Sequence, residues 1–85
     1  MDNQVTFYYV YILQSVNYSN RFYSGYSEDY LRRFQEHNAG MIKYTSKYVP
    51  WKIKTVISFT DKQRAVEFEK YLKSGSGRSF AKKRL

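Results

Sequence analysis

Eighty-five residues suffice for one domain with a modest core, so a single domain over 1–85 is expected, with a lead-in over 1–6. The lack of cysteine excludes a disulfide framework and a thiolate zinc site, and a lone histidine excludes an all-nitrogen transition-metal cage. Fifteen Lys and Arg against seven Asp and Glu give a net charge of +8, which points to a polyanionic partner such as DNA or another nucleic acid.

Met1 to Thr6 has neither a basic run nor an apolar signal core, and no apolar stretch reaches the roughly 18 residues of a membrane span. A soluble, cytoplasmic protein without a membrane partner is the expectation. Aromatic residues make up 20% of the chain, ten of them tyrosines, which exceeds the needs of a core that Leu, Ile and Val would fill. Some of those hydroxyls should face a site, and base stacking is another use for them. For Tyr8, Tyr30, Tyr48 and Tyr71 a sheet or packing role is favoured.

Phe7 to Leu13 is β-branched and aromatic, with Tyr9, Tyr11 and Leu13 on one face and Tyr8, Val10 and Ile12 on the other. It reads as a strand buried on part of both faces. Val16 to Asn20 is turn-forming, and Arg21 to Tyr26 resumes an aromatic pattern, so a hairpin is expected. It sets the triplets Tyr9-Val10-Tyr11 and Tyr23-Ser24-Gly25 side by side.

Ser27 is placed to cap a helix from about Glu28 to Asn38, with two acidic residues in its first turn and Gly40 past its end. At 100° per residue, Tyr30, Leu31 and Phe34 form the buried stripe, and Arg32, Gln35 and Glu36 point away. Arg33 and His37, one turn apart, flank that stripe, where a cation and an imidazole suit a ligand. Met41 to Pro50, which includes Lys43, reads as a loop over the sheet.

Trp51, Ile53, Thr55, Ile57 and Phe59 alternate with Lys52, Lys54, Val56 and Ser58, the period of a strand with one face in the core. Thr60 with Gln63 makes a capping box for a helix to about Lys73, which Gly75 is placed to stop. Ala65, Phe68 and Leu72 are its apolar stripe, and Glu69 lies at the edge of that stripe. An unpaired buried carboxylate is costly, so Glu69 should have a cation, either a basic side chain in a structural ion pair or a metal ion. Glu67 should face solvent.

Beyond Glu69 nothing is acidic, while Lys70, Lys73, Arg78, Lys82, Lys83 and Arg84 make a candidate phosphate-tracking surface. A basic helical tail occupies 76–85, with its helix at Arg78 to Leu85. The expected class is α+β: a three-stranded antiparallel sheet flanked by helices in the order β-β-α-β-α-α.

This pattern resembles the GIY-YIG nuclease superfamily, in particular its small single-domain members, from about Phe7 onward. Tyr9-Val10-Tyr11 stands for the first triplet of the family and Tyr23-Ser24-Gly25 for the second. Arg33 takes the family's arginine position, His37 its histidine position and Glu69 that of its metal-binding glutamate. The chain departs from the pattern where Tyr9 and Val10 replace Gly and Ile and where Ser24 replaces Ile. A family asparagine beyond the glutamate has no counterpart, since no Asn follows Asn38; Arg78 and Ser79 are candidates for its place.

The resemblance implies a metal-dependent endonuclease that hydrolyses phosphodiesters in DNA or structured nucleic acid. Glu69 would bind one Mg²⁺ or Mn²⁺, and Arg33 would grip the scissile phosphate with its planar fork. Tyr11 would be the general base, its pKa lowered by Arg33, Lys43 and the metal, with His37 as relay or alternative base. Tyr23 would orient water or phosphate, and Gly25 would allow close backbone approach. A noncatalytic nucleic-acid-binding module that keeps the fold remains the alternative. Specificity would come from a protein partner or a homodimer.

Overall fold

The computed structural model describes residues 5–85, so most of the lead-in expected over 1–6 lies outside the described residues. Three strands, β1 (Tyr8–Ser15), β2 (Phe22–Ser27) and β3 (Trp51–Phe59), form one antiparallel sheet in the order β2-β1-β3. Helix α1 (Tyr30–Asn38) follows β2, and α2 (Lys62–Leu72) and α3 (Gly75–Arg84) follow β3. This is the α+β order read from the sequence. Among the described residues no helix is long and apolar enough to cross a membrane.

β1 is central because its aromatic and β-branched residues have no polar face to show water. Tyr11 and Leu13 pack with Trp51 and, from α1, with Tyr30 and Phe34. Val10 and Ile12 pack on the opposite face with Ala65 and Leu72 of α2 and with Ala81 of α3. Fully burying side chains of this size stabilises by about 1.5–3 kcal/mol each, so this one strand organises both layers.

β3 does not keep the single alternating face expected of it. Ile12 pairs with Thr55 but Leu13 pairs with Ile53, which leaves Lys54 unpaired in a β-bulge. The extra residue shifts the phase of every side chain beyond it. Trp51, Ile53 and Val56 therefore share the α1 side, whereas Phe59 packs on the α2 side. Thr55 reaches the Leu85 carbonyl at the end of α3.

Both main helices start later than expected, on aspartates. Asp29 accepts from the Arg32 backbone N–H at 3.1 Å, while Ser27 accepts from the Asp29 N–H at 2.9 Å. The Thr60 capping box does not form; Asp61 accepts from the Arg64 N–H at 3.2 Å instead. In each case the ionised carboxylate caps, which also complements the positive end of the helix dipole. The start at Tyr30 leaves no acidic residue in the first turn of α1, and Leu31 is 53% exposed rather than buried.

Gly75 does not end the helical region but opens α3, whose cap is Ser74, accepting from the Gly77 N–H. Gly77 is buried, and a Cβ there would collide with the Tyr71 carbonyl and Leu72 of α2. A glycine at this position is what lets α3 dock on the end of α2.

Candidate active site

Strand register decides which tyrosine meets which glycine. Tyr11 pairs with Gly25 and Leu13 with Tyr23, so the two triplets overlap only at the Tyr11 and Gly25 pair, and Tyr23 lies on its diagonal. A Cβ on Gly25 would fall inside contact distance of the Tyr11 Cζ and hydroxyl. The phenol therefore lies over the β2 backbone, 1% exposed.

The last turn of α1 brings His37, fully buried, to that hydroxyl. Its Nε2 is 3.2 Å from the Tyr11 hydroxyl and its Nδ1 is 2.7 Å from Thr45 Oγ1. The Thr45 hydroxyl donates to the Ile42 carbonyl at 3.3 Å, which leaves its oxygen free to accept from Nδ1–H. We therefore assign the proton to Nδ1, and Nε2 accepts from Tyr11. Burial, reinforced by the Arg33 charge, pushes His37 down to about 4, so the ring is neutral at pH 7.

The α1–β3 loop is held in place to do this. Asn38 accepts from the Trp51 N–H at 2.5 Å and donates to the Trp51 carbonyl at 2.9 Å. The Trp51 indole donates to the Thr45 carbonyl at 3.0 Å. Thr45, fully buried, is thus a fixed support for His37. A lone threonine in a polar loop carries no sequence signal of that role.

Arg33 pairs with Glu36 at 2.6 Å, so Glu36 turns toward the site rather than away from it. Burial opposes the guanidinium charge, but Glu36 and the Tyr11 oxygen outweigh it and raise the Arg33 pKa. With 35% of its side chain exposed, Arg33 keeps donors available to a ligand. In the free protein Arg33 is the one of the expected cations that acts to lower Tyr11. Burial and the neighbouring Tyr23 raise its pKa, Arg33 offsets them only in part, and Lys43 lies on another surface. Tyr11 at rest is a neutral phenol that donates to Nε2 of His37.

Glu69 has the cation its position demanded. Lys73, one turn along α2, lies 3.0 Å from its carboxylate, of which only 18% is exposed. The Lys73 ammonium also stands 5.1 Å from the centre of the Tyr23 ring. Tyr23 is 4.7 Å from the His37 ring and 6.4 Å from that of Tyr11, and the Glu69 charge is near enough to act on Tyr11. The structure thus gathers Tyr11, Tyr23, Arg33, His37 and Glu69 into one neighbourhood, with Gly25 beneath the Tyr11 phenol.

The surface carries two open troughs, the larger of which reaches this cluster at Tyr23 and Lys73. The larger, about 970 Å³, has Ile12, Leu72 and Ala81 among its apolar lining and Arg21, Lys54, Lys73, Arg78 and Lys82 among its polar lining. The smaller, about 450 Å³, is lined by Arg21, Lys43, Tyr44, Lys47 and Tyr48. Lys73, Arg78 and Lys82 thus line the larger and Lys43 the smaller, whereas Lys70 and Lys83 line neither. Arg21, Lys47 and Lys54 escaped the sequence reading, which followed charge along the tail and not across the sheet.

The GIY-YIG catalytic domain family model matches residues 7–84. The chain belongs to the GIY-YIG family. Within that family it is similar to the structure-specific endonuclease subunit SLX1 of Vanderwaltozyma polyspora, 37% identical over 71 residues. The alignment covers 75% of this chain and 22% of that relative, so the chain corresponds to about a fifth of the longer protein. The GIY-YIG match takes in all three strands and the helices that carry Arg33, His37 and Glu69.

GIY-YIG catalytic domains use divalent cations, and the donor set here bears on that. Among the described residues no three His, Asp, Glu or Cys side chains cluster. A single carboxylate suits Mg²⁺, which keeps several waters and takes one or two carboxylates plus substrate phosphate oxygens. Glu69 already holds a cation at 3.0 Å, on a lysine whose side chain is 49% exposed. Glu69 is the residue that would hold such an ion.

Proposed function

We propose that this chain is a metal-dependent endonuclease that hydrolyses one phosphodiester in branched or otherwise structured DNA. The observation that carries the reading is the convergence of Arg33, His37, Tyr23 and Glu69 around the Tyr11 hydroxyl, beside troughs with cationic walls. Arg33 would hold the scissile phosphate and stabilise the charge added in the transition state, the task for which a guanidinium fork is suited. Glu69 would hold the divalent ion, which when bound supplies charge neutralisation and an acidified water.

Tyr23 is the phenol at the trough wall, and it would orient the attacking water there. Tyr11 would receive a proton from that network as it passes its own to Nε2 of His37, the acceptor atom it already faces. Arrival of a phosphate next to Arg33 would offset the positive charge that helps hold His37 low, and so favour this transfer. The name of the relative, a structure-specific endonuclease subunit, supports a structured nucleic acid as the substrate class, and the word subunit favours a protein partner over a homodimer. Substrates of this kind arise in DNA repair and recombination.

A second reading has its own observation. Lys73 saturates Glu69 in the free protein, as expected of a nucleic-acid-binding module that has exchanged its metal for a lysine. Cleavage assays on branched, nicked and single-stranded DNA with Mg²⁺ or Mn²⁺ separate the two. An endonuclease cuts at least one substrate and loses this with Glu69→Gln and with Arg33→Ala. If wild type cuts nothing that these variants leave intact, only the binding module stands.

A further inference from the structure

The two troughs share the same two residues, Arg21 and Tyr44, along their common border. Tyr44 is the most exposed large hydrophobic side chain among the described residues, at 75%, although it borders one of the most aromatic parts of the chain. Its ring lies 6.1 Å from Tyr23, itself 4.7 Å from His37, so a line of rings runs from open solvent to the buried cluster. The Arg21 guanidinium is held 4.8 Å over the Tyr48 ring, and Lys43 and Lys47 line the smaller trough with Tyr44. Neither trough has an acidic side chain in its lining.

A flat apolar face kept in water, with cations in both troughs it borders and no carboxylate among the lining residues, matches the chemistry of one nucleotide base between two phosphates. A duplex cannot offer that base without unstacking it. We propose that Tyr44 is a stacking platform for an unpaired base, with the flanking phosphates held by Arg21 and Lys73 in the larger trough and by Lys43 and Lys47 in the smaller. The chain thereby prefers single-stranded stretches next to the bond it cuts. The site rests on the nuclease reading only for that last clause, since stacking and phosphate contacts need neither metal nor turnover.

The test is equilibrium binding in EDTA, where no cleavage takes place, to a short single strand that carries 2-aminopurine and to a duplex of equal length. Tyr44→Ala should weaken single-strand binding about 5- to 150-fold, the range for loss of one stacked base. It should also abolish the quenching of 2-aminopurine fluorescence. Tyr44→Phe should keep both, and duplex affinity should be unchanged in either variant. The proposal is overturned if Tyr44→Ala binds the single strand as tightly as wild type, or if single-strand and duplex binding fall together. Loss of cleavage with intact stacking would count against the nuclease reading alone, and cleavage with no stacking effect would count against the platform alone.

Discussion

The Tyr11 hydroxyl donates to Nε2 of His37 across 3.2 Å, which ties the central strand to the last turn of α1. Both side chains are buried, at 1% and 0% exposure, so water does not replace either partner. Tyr11→Phe removes the donor and leaves Nε2 unsatisfied, a cost of about 1–3 kcal/mol. Urea unfolding at pH 7.5 measures it, and an unchanged midpoint would show that the bond contributes nothing.

The same pair sets a pH dependence. His37 sits at about 4 in the folded chain against an ordinary 6.5, so the unfolded chain binds its proton first as pH falls. The stability that the neutral ring contributes is complete above about pH 6.5, declines as pH falls toward 4 and is gone below it. The loss is on the order of 3 kcal/mol. Comparing wild type with His37→Gln at pH 7.5 and 4.5 isolates this from the carboxylates, which both proteins share. Equal losses in the two would remove His37 as the cause.

Gly25→Ala would press a methyl group into the Tyr11 phenol. Overpacking of this kind costs about 1–3 kcal/mol, and here it also displaces the hydroxyl from His37. The variant should fold with lower stability and lose cleavage. Because the three atoms nearest the added methyl all belong to Tyr11, Tyr11→Ala in the Gly25→Ala background should destabilise by less than the sum of the two single changes. Strict additivity in thermal or urea unfolding would show that the contact is not what makes glycine necessary.

Much of this was legible in the sequence, and the limits have physical causes. β1 announced itself because seven successive strand-forming side chains, Phe7 to Leu13, leave no polar face. Glu69 stood out because periodicity placed a charge beside Ala65 and Leu72, and its cation proved to be Lys73. Phase was harder to read. The bulge at Lys54 reverses the faces of β3, and because both faces of the sheet are packed, residues in either phase are apolar and the reversal leaves no mark in the sequence. Helix starts slipped to Asp29 and Asp61 because serine, threonine and aspartate are near-equal caps and chain geometry chooses among them. Thr45 and Arg21 reach their places through the loop and across the sheet, where no spacing rule applies.

Arg33 is the group whose geometry, not only its charge, is at stake. Arg33→Lys keeps a cation near Glu36 but gives up the planar fork. If Arg33 stabilises the transition state, kcat should fall roughly 10²- to 10³-fold with little change in metal-free DNA affinity. Equal losses in kcat and affinity would make Arg33 a binding residue. A variant with wild-type kcat would take it out of the reaction.

Lys73 and a divalent ion compete for one carboxylate. Lys73→Met keeps an unbranched apolar side chain of similar length while removing the ammonium that pairs with Glu69. An unpaired carboxylate on a side chain only 18% exposed is costly, and a divalent ion would neutralise it without protonation. Lys73→Met should therefore bind Mn²⁺ more tightly than wild type by titration calorimetry, and Glu69→Gln should bind it less tightly than either. Calorimetry separates this from catalysis, since Lys73 also borders the larger trough and its loss should weaken DNA binding with a shallower salt dependence. If Lys73→Met gains no affinity for Mn²⁺, then Glu69 is half of a structural ion pair, and the chain is the binding module that keeps a nuclease fold.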